Sequence, residues 1–310
     1  ILSENLPKSL SNTYLTNSGT EAIEAAMKLA KRVTGKTEII AAKNGYHGNT
    51  QGSMSIMGHE ERKRRYRPLL PGIKFIEFNN ENDINKINKN TAAVVLETIQ
   101  GGAGFITPSD NYLKKVKNKC EELNALLILD EIQPGMGRTG KLFAFEHYDI
   151  IPDILVYGKG LGGGFPIGAL SSSKKIMSSF KKNPILGHIT TFGGHPVIAA
   201  AAYANLKETL DSKIMSKIYE KEKLFKGYLK HPLINEIRGK GLMLALVVNN
   251  KKIANQLVIK CLNKGLILFY LLFESKAVRI TPPLTIKKSE IKKGCKIIIE
   301  TLNQIDNSVH

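Results

Sequence analysis

The 310-residue sequence predicts an α/β fold: a mostly parallel central sheet with helices on both faces, followed by a smaller C-terminal α+β domain. Three observations predict it. Short continuous apolar runs, Glu38 to Ala42, Ala92 to Leu96, Leu126 to Leu129 and Ile154 to Tyr157, alternate with amphipathic stretches such as Tyr112 to Asn124. That is the pattern of parallel strands buried on both faces. The length suits one large domain or two ordinary ones, and 42% hydrophobic with 23% charged residues describes an ordinary soluble globular chain. After about residue 205 the texture changes to a long charged helix, Leu206 to Lys230, then "IRGKGLMLALVV", another helix, and "AVRITPPLTI". The expected division is a large α/β domain at 1–205 and a small α+β domain at 206–310.

Along the chain, "NSGTEAIEAAMKLAKRVTG" (17–35) comes first. Ser18 and Glu21 have capping-box spacing, Ile23, Met27 and Ala30 form one apolar face, and Gly35 is placed to end the helix. Alone, this stretch reads equally as a plain capped helix. Gly19 and Thr20 nevertheless put free amides and a hydroxyl at the positive end of a helix dipole, which suits a phosphate.

Next come the strand ends, where open α/β sheets gather ligands. Leu96 is followed by Glu97, Leu129 by Asp130, and Tyr157 by Gly158 and Lys159. One acidic residue after a strand is commonly a helix cap. Three chemically useful groups converging on one sheet edge point to a site. Lys159 opens "KGLGGGFPIG", with five glycines between Gly160 and Gly168, so backbone can pass close to a ligand there.

Composition narrows the alternatives. The net charge of +18 is spread along the chain with many Asn and Ile, which reads as residue usage more than as a nucleic-acid surface. The one dense basic cluster, Arg62 to Arg67, reads as a solvated face. Cys120, Cys261 and Cys295 are too few and scattered for a disulfide framework or a metal site, so a reducing, cytoplasmic setting is expected. The longest apolar run, Leu266 to Phe273, is eight residues, short of a membrane span, and the opening residues carry no signal-peptide pattern.

A phosphate cradle, a buried acid and a lysine suggest an aldehyde cofactor carrying a phosphate, pyridoxal 5'-phosphate. Its chemistry needs a lysine amine for the aldehyde and a carboxylate to keep the pyridine nitrogen protonated.

"NSGTEA", "YHG", "LILDEIQPGMGRTG", "GKGLGGGFPIGA" and "TTFGGHP", in this order, resemble the class III aminotransferases, the group that includes acetylornithine and ornithine aminotransferases. The resemblance covers about residues 12 to 290 and implies a fold-type I transferase. It implies that Ser18, Gly19 and Thr20 serve the phosphate, that Tyr46, with His47 beside it, and Ile132 face the two sides of the pyridine ring, and that Gln133 reaches its hydroxyl. Asp130 would pair with the pyridine nitrogen, Glu97 would line the cofactor site, and Lys159 would hold the aldehyde. Freed by the incoming amine, Lys159 would then move the Cα proton as general base and acid, while Asp130 stabilises the developing charge. Thr191 would reach the phosphate of a neighbouring subunit, making a homodimer with a composite site, and Arg279 would grip the substrate carboxylate, with 2-oxoglutarate the expected acceptor. The family has several dozen further residues before "NSGTEA", so part of the small domain and one wall of the site are expected to be lacking here. Two departures stand out: "ETIQGG" places Gly102 where the family often has a glutamate that gates the arginine, and Asn49 stands where an arginine is frequent. Without that gate, donors carrying an α-carboxylate near the reacting amine are expected over 4-aminobutyrate or simple diamines. Aminomutase, racemase or decarboxylase chemistry on the same fold is the alternative, and a non-enzymatic basic scaffold a weaker one.

Overall fold

The structure, a computed structural model, describes residues 1–109 and 111–306, so the last four residues of the expected small domain lie outside the described part. Strands β1 (Asn12–Thr16), β2 (Glu38–Ala42), β3 (Ile73–Ile76), β4 (Thr91–Glu97), β5 (Leu126–Asp130), β6 (Ile154–Gly158) and β7 (Gly168–Ser172) form one sheet in the order β1-β7-β6-β5-β4-β2-β3. All neighbours from β6 to β3 pair in parallel, and β7 runs against both β6 and β1.

The continuous apolar runs have the expected consequence. Alternate residues of one strand enter different cores: Val94, Leu96, Leu127 and Leu129 pack with Leu113, Val116 and Cys120 of the helix Tyr112–Glu122. Ala93, Val95 and Ile128 pack on the other face with Ile23, Met27 and Ala30 of the helix Gly19–Thr34. A period of two delivers both sets because successive side chains point to opposite faces.

The second unit is an antiparallel sheet of β8 (Ile234–Lys240), β9 (Met243–Val248), β10 (Phe269–Tyr270) and β11 (Ala277–Ile280), ordered β10-β11-β9-β8. One face packs Leu244, Leu246, Val278 and Ile280 against the helices Lys251–Asn263 and Lys288–Asp306, with Cys261 and Cys295 inside. The other face sets Met243, Ala245 and Ala277 against Ile99, Phe105 and Ala144 of the first unit. The two sheets are therefore joined by buried apolar contact, close to where β4 ends.

The expected helix Leu206 to Lys230 is two helices, Pro196–Asp211 and Ile218–Tyr228. The break falls at Ser212, whose backbone is extended (φ -79°, ψ 150°) while its N–H still reaches Glu208 O. The first of these helices belongs to the large unit, since Ala202 and Leu206 enter its core. Among the described residues no helix is long and apolar enough to cross a membrane.

Candidate active site

Register brings the strand-end groups together. Glu97, the last residue of β4, pairs with Asp130, the last of β5, and Asp130 pairs with Val156 of β6, two residues before that strand ends at Gly158. Lys159 follows at φ 40°, a left-handed conformation that a lysine adopts at a cost of about 1–3 kcal/mol. A strained residue at that point is consistent with a role for its side chain.

Each acid is held by one donor from a distant segment and one from the chain just beyond it. Asp130 Oδ1 accepts from Ile132 N at 3.0 Å, and Oδ2 accepts from His47 Nδ1 at 2.8 Å in a pair almost sealed from water. Burial alone would depress the His47 pKa, but the Asp130 carboxylate holds it above the usual value. Glu97 accepts from Tyr46 N (3.0 Å) through one oxygen and Gly101 N (2.8 Å) through the other. Loss of water lifts its pKa to about 7, against the pull of His47 and those two N–H groups, with Asp130 adding to the rise. For Lys159, the protein packed round the ammonium lowers the pKa; Asp130 and Glu97 oppose this and Arg279 adds to it.

The helix Gly19–Thr34 starts at this edge. Ser18 caps it, accepting from Glu21 N at 3.4 Å, while Glu21 reaches back to Asn17 N (2.9 Å) and not to Ser18 N. Gly19 lies so close to Ile132 that a Cβ would come within 2.7 Å of its Cδ1. Thr20 Oγ1 joins the hydroxyls of Thr50 (2.8 Å) and Ser53 (2.7 Å). Gly19, Thr20, Tyr46, His47, Asn49, Glu97, Asp130, Ile132, Gln133 and Lys159 all line one cavity of about 250 Å³. Ser18 does not line it and caps the helix that reaches it.

A second cavity adjoins the first through Ile132, Gln133 and Lys159, and adds Arg138 and Arg279. Arg279, on β11, lies 5.2 Å from the ring centroid of its strand partner Phe269, and among the described residues no carboxylate bonds to it. Gly102 is buried under Phe273: a Cβ there would stand 2.7 Å from the ring, and Phe273 N donates to Gly102 O at 2.9 Å. Thr191 is not brought to either cavity. It is exposed, on the segment held by Thr190, whose Oγ1 accepts from Asn17 Nδ2 at 2.8 Å.

Three features escaped the sequence reading. The His47–Asp130 pair joins residues 83 positions apart, and no local pattern reports that. Arg138 lay in a quoted motif without a role, and Phe273 closed an apolar run read only for its length.

The sequence model described as aminotransferase class III matches residues 1–302. The acetylornithine aminotransferase of Clostridium acetobutylicum is 40% identical over 304 residues, covering 93% of this chain and 76% of that protein. The putrescine aminotransferase of Pectobacterium atrosepticum is 39% identical, covering 96% of this chain and 68% of the other. The crystal structure of ornithine aminotransferase from Toxoplasma gondii superposes with a TM-score of 0.90 at 30% identity, over 97% of this chain and 75% of that one. A further structure of that enzyme has pyridoxal phosphate at partial occupancy in its active site. With the family model matched over residues 1–302 of this chain, around a cavity that joins a lysine to a buried carboxylate, the chain belongs to the class III aminotransferases, enzymes dependent on pyridoxal 5'-phosphate.

Proposed function

We propose that the enzyme moves an amino group from a donor of the acetylornithine or ornithine kind to 2-oxoglutarate, as a cytoplasmic homodimer. The observation that carries this reading is that the Lys159 amine, the Asp130 carboxylate and the Arg279 guanidinium all face two adjoining cavities. The donor set fits the cofactor: an amine for its aldehyde, a carboxylate for its ring nitrogen, and first-turn amides of Gly19 and Thr20, which have no intrahelical acceptor, for its phosphate. When bound, the cofactor supplies an electrophilic carbon and an electron sink. Tyr46 and Ile132 would close the two sides of its ring, and Gln133 would meet its hydroxyl.

The residues then divide the work. A depressed pKa leaves more of Lys159 neutral, so Nζ serves first as nucleophile and then as the base that takes the proton from the substrate's amine-bearing carbon and, as acid, would deliver it to the carbon that had carried the cofactor's aldehyde. Asp130, fixed by His47 and Ile132 N, opposes positive charge where little water screens it, which lowers the barrier without reorganisation. Arg279 offers a planar fork to a carboxylate with no internal carboxylate competing for it among the described residues. Thr191 would serve the phosphate site of the partner copy. Its surroundings support an interface, because Ile189, Phe192 and Val197 are 69%, 64% and 60% exposed.

The test is a panel of donors (acetylornithine, ornithine, glutamate, putrescine and 4-aminobutyrate) against 2-oxoglutarate, read as kcat/KM together with molecular mass in solution. Acetylornithine or ornithine should lead. A best rate with 4-aminobutyrate or putrescine would reject the donor assignment, and a fully active monomer would reject the composite site.

A further inference from the structure

The loop that follows Asp130 runs on to Arg138, a largely buried guanidinium that meets no carboxylate among the described residues. Its Nη1 donates to the carbonyl of Pro282 at 2.5 Å and more weakly to that of Leu242 at 3.4 Å, and its own carbonyl accepts from Leu242 N at 3.0 Å. Burial pulls its pKa down to about 10, so the charge is held at a cost that carbonyl partners only partly offset. A neutral donor would satisfy those carbonyls more cheaply. What distinguishes the charged one is a shorter, stiffer hydrogen bond.

Its location says what that stiffness serves. Pro282 lies three residues past Arg279, where β11 has already ended at Ile280. Pro282 and Pro283 have no N–H, so the chain beyond β11 cannot extend its sheet pairing and needs another anchor. Arg138 supplies one from the loop that follows Asp130 and also carries Ile132 and Gln133, and Arg138, Arg279 and Lys159 line one cavity.

We propose that Arg138 is a positioning residue for Arg279: by clamping the Pro282 carbonyl to the loop after β5, it sets the separation between the carboxylate-binding guanidinium on the small sheet and Lys159 on the large one. The proposal rests on Arg279 as the carboxylate-binding group. It makes Arg138 a determinant of how tightly, and in what register, oxo acids and amino acids seat.

Glutarate, a dicarboxylate without a reacting carbonyl, separates this from a general loss of structure. Its dissociation constant is measured by calorimetry on the cofactor-loaded protein for wild type, Arg138→Gln, Arg138→Lys, Arg279→Lys and the double variant Arg138→Gln/Arg279→Lys. A charged hydrogen bond that a displaced Arg279 can no longer align is worth about ten- to hundredfold in affinity, so Arg138→Gln should weaken glutarate by about tenfold or more. Arg138→Lys, which keeps one charged donor, should recover part of the loss. The absorbance and retention of the cofactor should stay as in wild type, and the double variant should bind no worse than Arg279→Lys alone. Wild-type affinity in both Arg138 variants would overturn the proposal. So would losses that multiply in the double variant, which would mean that Arg138 touches the ligand itself. If instead Arg279→Lys leaves glutarate binding intact, the reading of Arg279 falls, and the proposal falls with it.

Discussion

Gly102 offers a sharp test because two positions with no covalent link compete for one volume. A Cβ added there would stand 2.7 Å from Phe273 Cδ2 and Cε2, whereas carbon atoms rest at about 3.5–4.0 Å, so the ring would have to retreat by about 1 Å. Retreat is hindered. The Phe273 N–H is bonded to Gly102 O, its ring stacks on His59 with centroids 4.7 Å apart and planes 11° from parallel, and the Arg62 guanidinium sits 5.7 Å from the ring centroid on a side chain whose Nη2 donates to Leu272 O. Overpacking of this kind costs about 1–3 kcal/mol, so Gly102→Ala should be destabilised by that amount. At about 2 °C per kcal/mol for a large chain, Tm should fall by about 2–6 °C. Phe273→Ala alone should also destabilise, through lost packing. In Gly102→Ala/Phe273→Ala the clash is gone, so the double variant should be more stable than the sum of the singles predicts, with a coupling of about 0.5–3 kcal/mol. Scanning calorimetry of the four proteins with cofactor bound gives the cycle. A wild-type Tm for Gly102→Ala, or strictly additive losses, would refute the packing argument. The same geometry bears on specificity: a Gly102→Glu gate would have to dislodge Phe273 first, so a shift toward 4-aminobutyrate and simple diamines should emerge in Gly102→Glu/Phe273→Ala before it emerges in Gly102→Glu.

Three other outcomes are expected. Lys159→Ala should lose turnover and release the cofactor on dialysis; retained wild-type turnover would remove Lys159 from the mechanism. His47→Ala takes from Asp130 a bond to a charged group worth about 1.5–3 kcal/mol, so kcat should fall by roughly ten- to hundredfold, with a much smaller change in KM. Glu131 is buried under bonds from Thr98 Oγ1 (2.7 Å), Ala144 N (2.9 Å) and Phe145 N (2.7 Å), and burial raises its pKa from 4.5 to about 7. A carboxyl whose pKa is raised by folding binds its proton more tightly in the native state, so stability declines as pH climbs from about 4.5 to about 7. Glu131→Gln cannot titrate, so its Tm deficit relative to wild type should shrink across that window; an unchanged deficit at pH 5 and pH 8 would contradict the assignment.

The central strands are legible in the sequence because burial on both faces forces continuous apolar runs, as in Ala92 to Leu96 and Leu126 to Leu129. The strands β1, β3 and β7 are not. "NTYLT" lies half-buried at a sheet edge, "IKFI" is four residues at the other edge, and "GALSS" packs small side chains against the helix start, so none forms an extended apolar block. The meeting of Asp130 with Lys159 follows from counting strand ends. What lies around them, His47 from one loop and Arg138 from another, and the cover that Phe273 puts over Gly102, depend on long-range placement that periodicity does not encode. The helix expected at Leu206 to Lys230 shows the converse: its charged texture runs on through Ser212, where the chain turns from one core to the other.

The cysteines divide between the cores in a way that gives the protein its own reporters. Cys120 is sealed beneath the large sheet and Cys261 and Cys295 beneath the small one, and burial keeps all three as protonated, unreactive thiols, Cys120 and Cys295 with pKa values raised to about 12. A thiol reagent can therefore label the protein only when a core opens. The rate at Cys120 clocks breathing of the large unit, and the rates at Cys261 and Cys295 clock that of the small one. Should cofactor slow only the first and a dicarboxylate slow both, labelling kinetics would report, without any turnover, when the two halves begin to open as one.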